Sequence, residues 1–243
     1  MRLIIYFCDI YHIVLSDMMK NECRDCQFKS TAALKLSDEE TLKLSSNCAL
    51  VKFLKGDQVI KQGTFSTNVA YLRRGLVIIN IEGPYHEQIL RIVKAPDYLG
   101  LPTTFGDKIN QYSVTVIEEA EVCFIDISVF NNLLRSNPDF SYEIMIALCR
   151  NELDMYIRCA NRTQKQIRGK IADLLLEMSD KIYNSDIFTM PFNQEEIGNL
   201  IDSSRETVSR VFTEFEKDGL ISLSTKKIEI KNKQTLLMIS ANG

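Results

Sequence analysis

The sequence predicts a two-domain α+β protein: a rolled antiparallel β domain, a long helix, and a small C-terminal domain built on a helix-turn-helix. Three observations carry this. Short period-two runs punctuated by glycine fill residues 52–127. No glycine or proline interrupts the chain from Asp139 to Gln166. Two short amphipathic patterns then flank the break Asp202-Ser203-Ser204.

The β domain is read from runs such as Val51-Lys52-Phe53-Leu54, Val59-Ile60-Lys61-Gln62-Gly63 and Gln88-Ile89-Leu90-Arg91-Ile92-Val93. Alternation at this spacing, with glycine supplying the positive φ of tight turns, means antiparallel sheet, rolled or sandwiched. Glu121–Asp126 supplies a last strand. Asn137-Pro138 changes the character of the chain, because proline suits the first turn of a helix. Along that helix Tyr142, Ile146, Cys149, Leu153, Tyr156 and Ala160 recur at steps of four and three, a heptad seam suited to self-association. A second stripe, Phe140, Ile144 and Leu148, is expected to pack on the helix's own β domain. Lys170–Met178 begins the C-terminal domain, and Asn184-Ser185-Asp186 is its clearest loop.

In that domain Ile197, Leu200 and Ile201 form the apolar face of a first helix. The Asp-Ser-Ser break offers an N-cap hydroxyl to a second. The second helix buries Val208, Val211, Phe212 and Phe215, and turns Arg205, Glu206, Ser209 and Arg210 outward. A helix that enters the major groove needs this apolar rear and polar N-terminal half. Arginine donates two-pronged to guanine, and glutamate accepts from cytosine N4. Glu206 also stands three residues after Ser203, the spacing of a capping box.

Composition sets bounds on these readings. The 243 residues suffice for two modest cores, and the net charge of −3 gives no global sign of nucleic acid. Positive charge is local, at Arg205 and Arg210 and at Lys226, Lys227, Lys231 and Lys233. Seven cysteines at low density suit a reducing cytoplasm. The apolar opening Leu3–Leu15 is broken by Asp9 and His12 and falls short of the ~20 residues a membrane helix needs. Residues 1–20 read as a leader outside the natural protein, with Met18 or Met19 as the start. No catalytic constellation stands out, so no enzyme and no membrane partner is expected.

Ser204-Arg205-Glu206-Thr207-Val208-Ser209-Arg210, followed by Glu214–Ile221, resembles the winged helix-turn-helix of the Crp/Fnr transcription regulators. Lys55-Gly56-Asp57 and Leu99-Gly100 resemble the same family's β-roll, a double-stranded β-helix of the cyclic-nucleotide-binding type. The resemblance implies a β-roll effector domain over residues 21–137, a dimerisation helix over 138–167 and a winged helix-turn-helix over 168–243. It implies double-stranded DNA and a second copy of the chain as partners, with RNA polymerase joining if the protein activates. Base contacts fall to Arg205, Glu206, Ser209 and Arg210. Phosphate contacts fall to Asn193, Ser204, Thr207, Lys226 and Lys227, the lysines lying on the wing with Lys231 and Lys233. The dimer seam falls to Ile146, Cys149, Leu153, Tyr156 and Ala160.

Two departures bear on the signal. Gly100-Leu101 and Tyr112-Ser113 stand where cyclic-AMP-binding members carry Gly-Glu and Arg-Ser. A charge-assisted phosphate contact, worth roughly 1.5–3 kcal/mol, is thereby lost, so cyclic AMP is not expected and the pocket's ligand is left open. Cys23-Arg24-Asp25-Cys26 and Cys123 resemble part of the oxygen-sensing branch's [4Fe–4S] ligand set. The third N-terminal cysteine falls at Ala32, and Cys8 or Cys48 is expected to substitute only by rearrangement. No cofactor is therefore expected. An iron–sulfur or thiol-based redox regulator is one alternative, and a nucleotide-binding module without DNA binding is another. Asp202 stands where the family's turn usually has glycine.

Overall fold

The structure is a computed structural model that describes residues 23–243. The proposed leader, with Cys8 and His12, lies outside the described residues. The chain divides into two compact units, 1–77 with 93–149, and 78–92 with 150–243.

The first unit holds most of a six-stranded sheet. Its strands are β1 (Cys48–Phe53), β2 (Gln58–Ile60), β3 (Asn68–Glu82), β4 (Glu87–Lys94), β5 (Asp97–Leu99) and β6 (Ser113–Asp126). The order β1-β6-β3-β4 forms the path, with β2 also on β6 and β5 also on β3. The two long strands change partner along their length. β6 pairs antiparallel with β2 near Val114 and Thr115 and with β1 from Ala120 to Ile125. β3 meets β5 at Ala70–Leu72. Partner changes of this kind turn a sheet over on itself, as the glycine-punctuated runs foretell.

Helices close the roll. α1 (Asp38–Ser45) starts in a capping box, with Ser37 Oγ accepting from Glu40 N at 3.3 Å and Glu40 accepting from Ser37 N at 2.8 Å. A five-residue α2 (Leu101–Phe105) follows Gly100, whose φ of 76° only glycine adopts freely. α3 (Ile127–Ser136) is capped by Asp126, which accepts from Ser128 N and Val129 N. The core gathers Val69, Tyr71, Leu101, Ile125, Phe130 and Leu133 from the roll with Phe140 and Ile144 from α4 (Pro138–Gln164), and Leu148 packs against it. The second stripe of the long helix thus packs as its sequence predicts.

The other unit contains the end of α4, α5 (Ile167–Leu176), a π-helical turn Glu177–Tyr183, and a three-stranded sheet. Within it lie α6 (Gln194–Ile201), α7 (Arg205–Lys217) and α8 (Lys233–Asn242). β8 (Ile221–Ser224) and β9 (Lys227–Ile230) form the hairpin, and β7 (Ile187–Thr189) pairs with β9. Its core is Ile171, Leu175, Met178, Ile197, Val208, Val211, Phe212, Phe215, Ile221 and Leu236, all buried.

Residues 78–92 cluster with the second unit. There Arg162 donates to the carbonyls of Ile89 at 2.7 Å and Leu200 at 3.2 Å, and Gln88 donates to that of Asn199. Such contacts between distant chain segments leave no mark on local periodicity.

Candidate nucleic-acid interface and cysteine pocket

Helix α6 begins at Asn193, whose side chain accepts from Glu195 N and Glu196 N, both at 2.9 Å. Glu196 closes a capping box back onto Asn193 N. The turn that follows is tight. A Cβ on Gly198 would stand 2.5 Å from the Ser203 carbonyl oxygen, so only glycine fits there. Asp202 occupies the left-handed region at φ 59° and ψ 61° and still ends the helix, as the departure from glycine predicts.

Ser204 caps α7, accepting from Thr207 N at 3.3 Å, and its hydroxyl lies 3.1 Å from that of Thr207. The alternative capping box from Ser203 to Glu206 does not form, because the cap lies one residue later. The Glu206 carboxyl is held below its usual range, first by its own backbone N–H and then by Ser204. Glu206 therefore stays ionised and able to accept.

Val208, Val211, Phe212 and Phe215 form the buried rear of α7. Arg205, Glu206 and Arg210 are exposed on the opposite side, with Ser209 half-exposed between them. Arg210 donates to Glu214 at 2.7 Å. The other oxygen of Glu214 accepts from Arg168 of α5 at 2.6 Å, and Arg168 also lies over the Phe215 ring. One carboxylate thus bridges Arg210 and Arg168.

Lys226 and Lys227 are exposed at the turn of the β8–β9 hairpin. Thr225, Lys226, Arg205 and Asn193 share one concave surface with Phe212 and Ile228 at its base. Lys231 sits past the end of β9 and pairs with Glu229 at 2.7 Å. Lys233 does not lie on the hairpin as expected. It opens α8 and bonds Asp186 at 2.9 Å, together with Asp180 and Ser179. The basic spacing of the sequence hides this, because the hairpin ends at Ile230, before both lysines.

Of the seam residues, Ile146 is half-buried, and Cys149, Leu153, Tyr156 and Ala160 are exposed. Leu153 keeps 61% and Tyr156 62% of their surface, beside Tyr142 at 58%. Met145 and Ile157 widen the apolar stripe. Exposed apolar side chains in a row are unusual on a lone subunit.

Two of the expected effector residues, Leu101 and Ser113, are buried. Leu101 is buried in the roll's core. An apolar side chain at that place gains more from the core than from a polar cradle. Ser113 is buried and accepts from Gln62 N at 3.0 Å. The Thr103 and Thr104 hydroxyls both donate to the Gly100 carbonyl at 2.9 Å. The turn therefore satisfies its buried polar groups from within.

Four cysteines, in contrast, come together. Cys23, Cys26, Cys48 and Cys123 line one small pocket with Ser45, Leu50 and Arg73, of about 30 Å³. Pairing of β1 with β6 sets Leu50 opposite Cys123, so Cys48 and Cys123 are diagonal neighbours on one face. The Cys48 thiol is pushed far above its ordinary range, first by hydrogen bonding with Cys123 and then with Cys23. Cys48 thus lies beside the other three thiols. Ala32, 1% exposed, sits in the core instead. As the side chains lie, no group of three or more His, Cys, Asp or Glu among the described residues is arranged to hold a metal ion.

Comparison with known proteins places these features. A cyclic nucleotide-binding domain model matches residues 50–137, and a Crp-like helix-turn-helix domain model matches residues 169–239. The transcriptional activator protein FnrA of Stutzerimonas stutzeri is 27% identical over 222 residues, 86% of this chain and 88% of that protein. The cAMP-activated global transcriptional regulator CRP of Escherichia coli O6:H1 is 26% identical over 190 residues, 76% of this chain and 90% of its own. The solved structure of FixK2 from Bradyrhizobium japonicum superposes with a TM-score of 0.73 at 16% identity, covering 81% of this chain and 98% of that one. At that identity the likeness is one of fold.

Proposed function

The chain belongs to the Crp/Fnr family of DNA-binding transcription regulators, and from that premise we propose that it acts as a homodimer on a palindromic promoter site. The observation that carries the proposal is the exposed apolar stripe of α4, which a second copy of the same stripe covers. A two-fold axis along that seam gives two recognition helices, and a palindrome mirrors it. Arg205, Glu206, Ser209 and Arg210 read bases in each half-site. Asn193, Ser204 and Thr207 approach phosphate with the helix N-termini, and Lys226 and Lys227 do so from the wing.

The protein performs no catalysis in this reading and works in the cytoplasm. No helix among the described residues is long and apolar enough to cross a membrane. As an activator it would also touch RNA polymerase. A signal in the β-roll shifts a two-state equilibrium in the spacing of the recognition helices. The signal is not cyclic AMP, although the Escherichia coli relative is cAMP-activated by name. Leu101 turns into the core, and Tyr112 brings no cation to a phosphate.

Footprinting of bound genomic fragments tests the reading. Protection is expected in two half-sites about 34–36 Å apart, with binding that weakens steeply as salt rises. A protein that sediments as a monomer while holding its site tightly would overturn it.

A further inference from the structure

A cleft opens between the N-terminus of α6, the start of α7 and the β8–β9 hairpin. Its volume is about 490 Å³, the size of a small-molecule site. The linker after β7 gives its floor Met190 and Phe192, α6 gives Ile197, α7 gives Phe212, and the hairpin gives Leu223 and Ile228. Leu223 is half-buried and the others are buried, yet together they leave an apolar base beneath a polar face. A DNA phosphate needs the cations of the rim but nothing of that floor. Apolar surface at the base of a polar cleft is the mark of a ligand groove.

The walls are held in place. Met190 N donates to the Lys226 carbonyl at 2.8 Å, and Leu223 N donates to Glu216 of α7 at 3.1 Å. The hairpin is thus tied to the linker on one side and to α7 on the other. A ligand meets a preformed cleft and pays little to order it. The rim carries Arg205 and Lys226, both exposed, and neither makes a salt bridge among the described residues. Glu195 is the one carboxylate that lines the cleft. The end of α6 offers an anion little, because Asn193 already accepts from the N–H groups of Glu195 and Glu196. An anionic head is therefore drawn to the side of Arg205 and Lys226.

We propose that this cleft binds a small aromatic carboxylate, with its ring on the apolar floor and its carboxylate on Arg205 and Lys226, and that the bound molecule competes with DNA for those two cations. Phe192 and Phe212 offer ring contacts, and Met190 is a thioether that adapts to a flat guest. The guanidinium of Arg205 can donate to both oxygens of a carboxylate, and Lys226 adds a point charge. The competition rests on the reading of α7 and the hairpin as the DNA-binding face; the binding itself does not.

Naphthoate is the probe, with the uncharged naphthalenemethanol as its isostere. The chain has no tryptophan, so naphthoate emission reads binding to the full protein directly. Saturable binding with a Kd of about 1 mM or tighter is expected. The alcohol should bind about tenfold more weakly. Lys226→Glu should weaken naphthoate by about tenfold or more, whereas Lys217→Glu, the same charge change on an exposed residue outside the cleft, should leave it within about twofold. On genomic fragments that the protein binds, naphthoate should raise the apparent Kd for DNA in step with its own occupancy. No saturable binding at millimolar naphthoate, equal binding of the alcohol, or full binding by a folded Lys226→Glu would overturn the site. The comparison of acid with alcohol uses the wild type alone, so it decides even where the variant folds poorly. DNA binding untouched at saturating naphthoate would overturn the competition. A chain that binds naphthoate but no DNA would strike the regulator reading and the competition together, and keep the site.

Discussion

Arg210→Ala separates base reading from charge on the recognition helix. Arg210 is the outward arginine on the second turn of α7, where a two-pronged contact with guanine is worth ~1–3 kcal/mol. A palindrome uses the residue twice, so the dimer loses ~2–6 kcal/mol on its best site, about thirtyfold to twenty-thousandfold in Kd. The loss is slightly softened. The free protein ties Arg210 to Glu214 at 2.7 Å, and only the wild type must break this exposed pair to reach a base. Arg210→Lys is the control, since it keeps the charge but not the fork. Selection from a library randomised in one half-site should show a G·C preference in the wild type that both variants lose, with Arg210→Lys keeping more non-specific affinity. Unchanged selectivity in Arg210→Ala would refute the assignment of α7 as the reading helix.

Leu153→Lys puts a charge on each side of the α4 seam, and sedimentation should show monomers whose operator affinity has collapsed; an intact dimer would move the interface elsewhere. Asp202→Gly relieves a left-handed aspartate and should stabilise the C-terminal domain by about 0.5–1 kcal/mol, read as a rise of a few degrees in its melting midpoint; a lower midpoint would show that the aspartate is needed. The Asp186 carboxyl is held below its usual range by hydrogen bonds from Lys233 and then Ser179. Its contribution is therefore present above the unfolded value of 3.8 and is lost as pH falls through the lower folded value. Denaturant midpoints measured below about pH 4 should fall less steeply in Asp186→Asn than in wild type, and equal slopes would exclude the link.

What the sequence revealed and what it hid divide by distance along the chain. The α6–turn–α7 unit was legible because its apolar spacing, its caps at Asn193 and Ser204 and its strained turn at Asp202 all lie within a few residues of one another. The two stripes of α4 were legible for the same reason. Cys48 was not, because its place beside Cys123 depends on strand register across 75 residues, which periodicity does not encode. Leu101 was read from its neighbour Gly100 as a pocket residue, yet the core that claims it is built from β3 and α3. Lys233 was read from its basic neighbours as part of the wing, but Asn232 caps a new helix and Asp186 draws the lysine inward. The hairpin at residues 78–92 groups with the second unit, in which Arg162 donates to the carbonyls of both Ile89 and Leu200, contacts that local periodicity does not encode.

The open stripe of α4 also sets how the protein responds to its own abundance. Where a reader of DNA exists only as a pair, the pair is scarce until the chain accumulates. Below the dissociation constant of the seam, the concentration of pairs rises with the square of the chain concentration. Doubling synthesis then raises the competent form about fourfold. In the dimer proposed above, Tyr142, Leu153 and Tyr156, exposed on the single chain, thereby fix the threshold of expression at which the gene's product begins to matter.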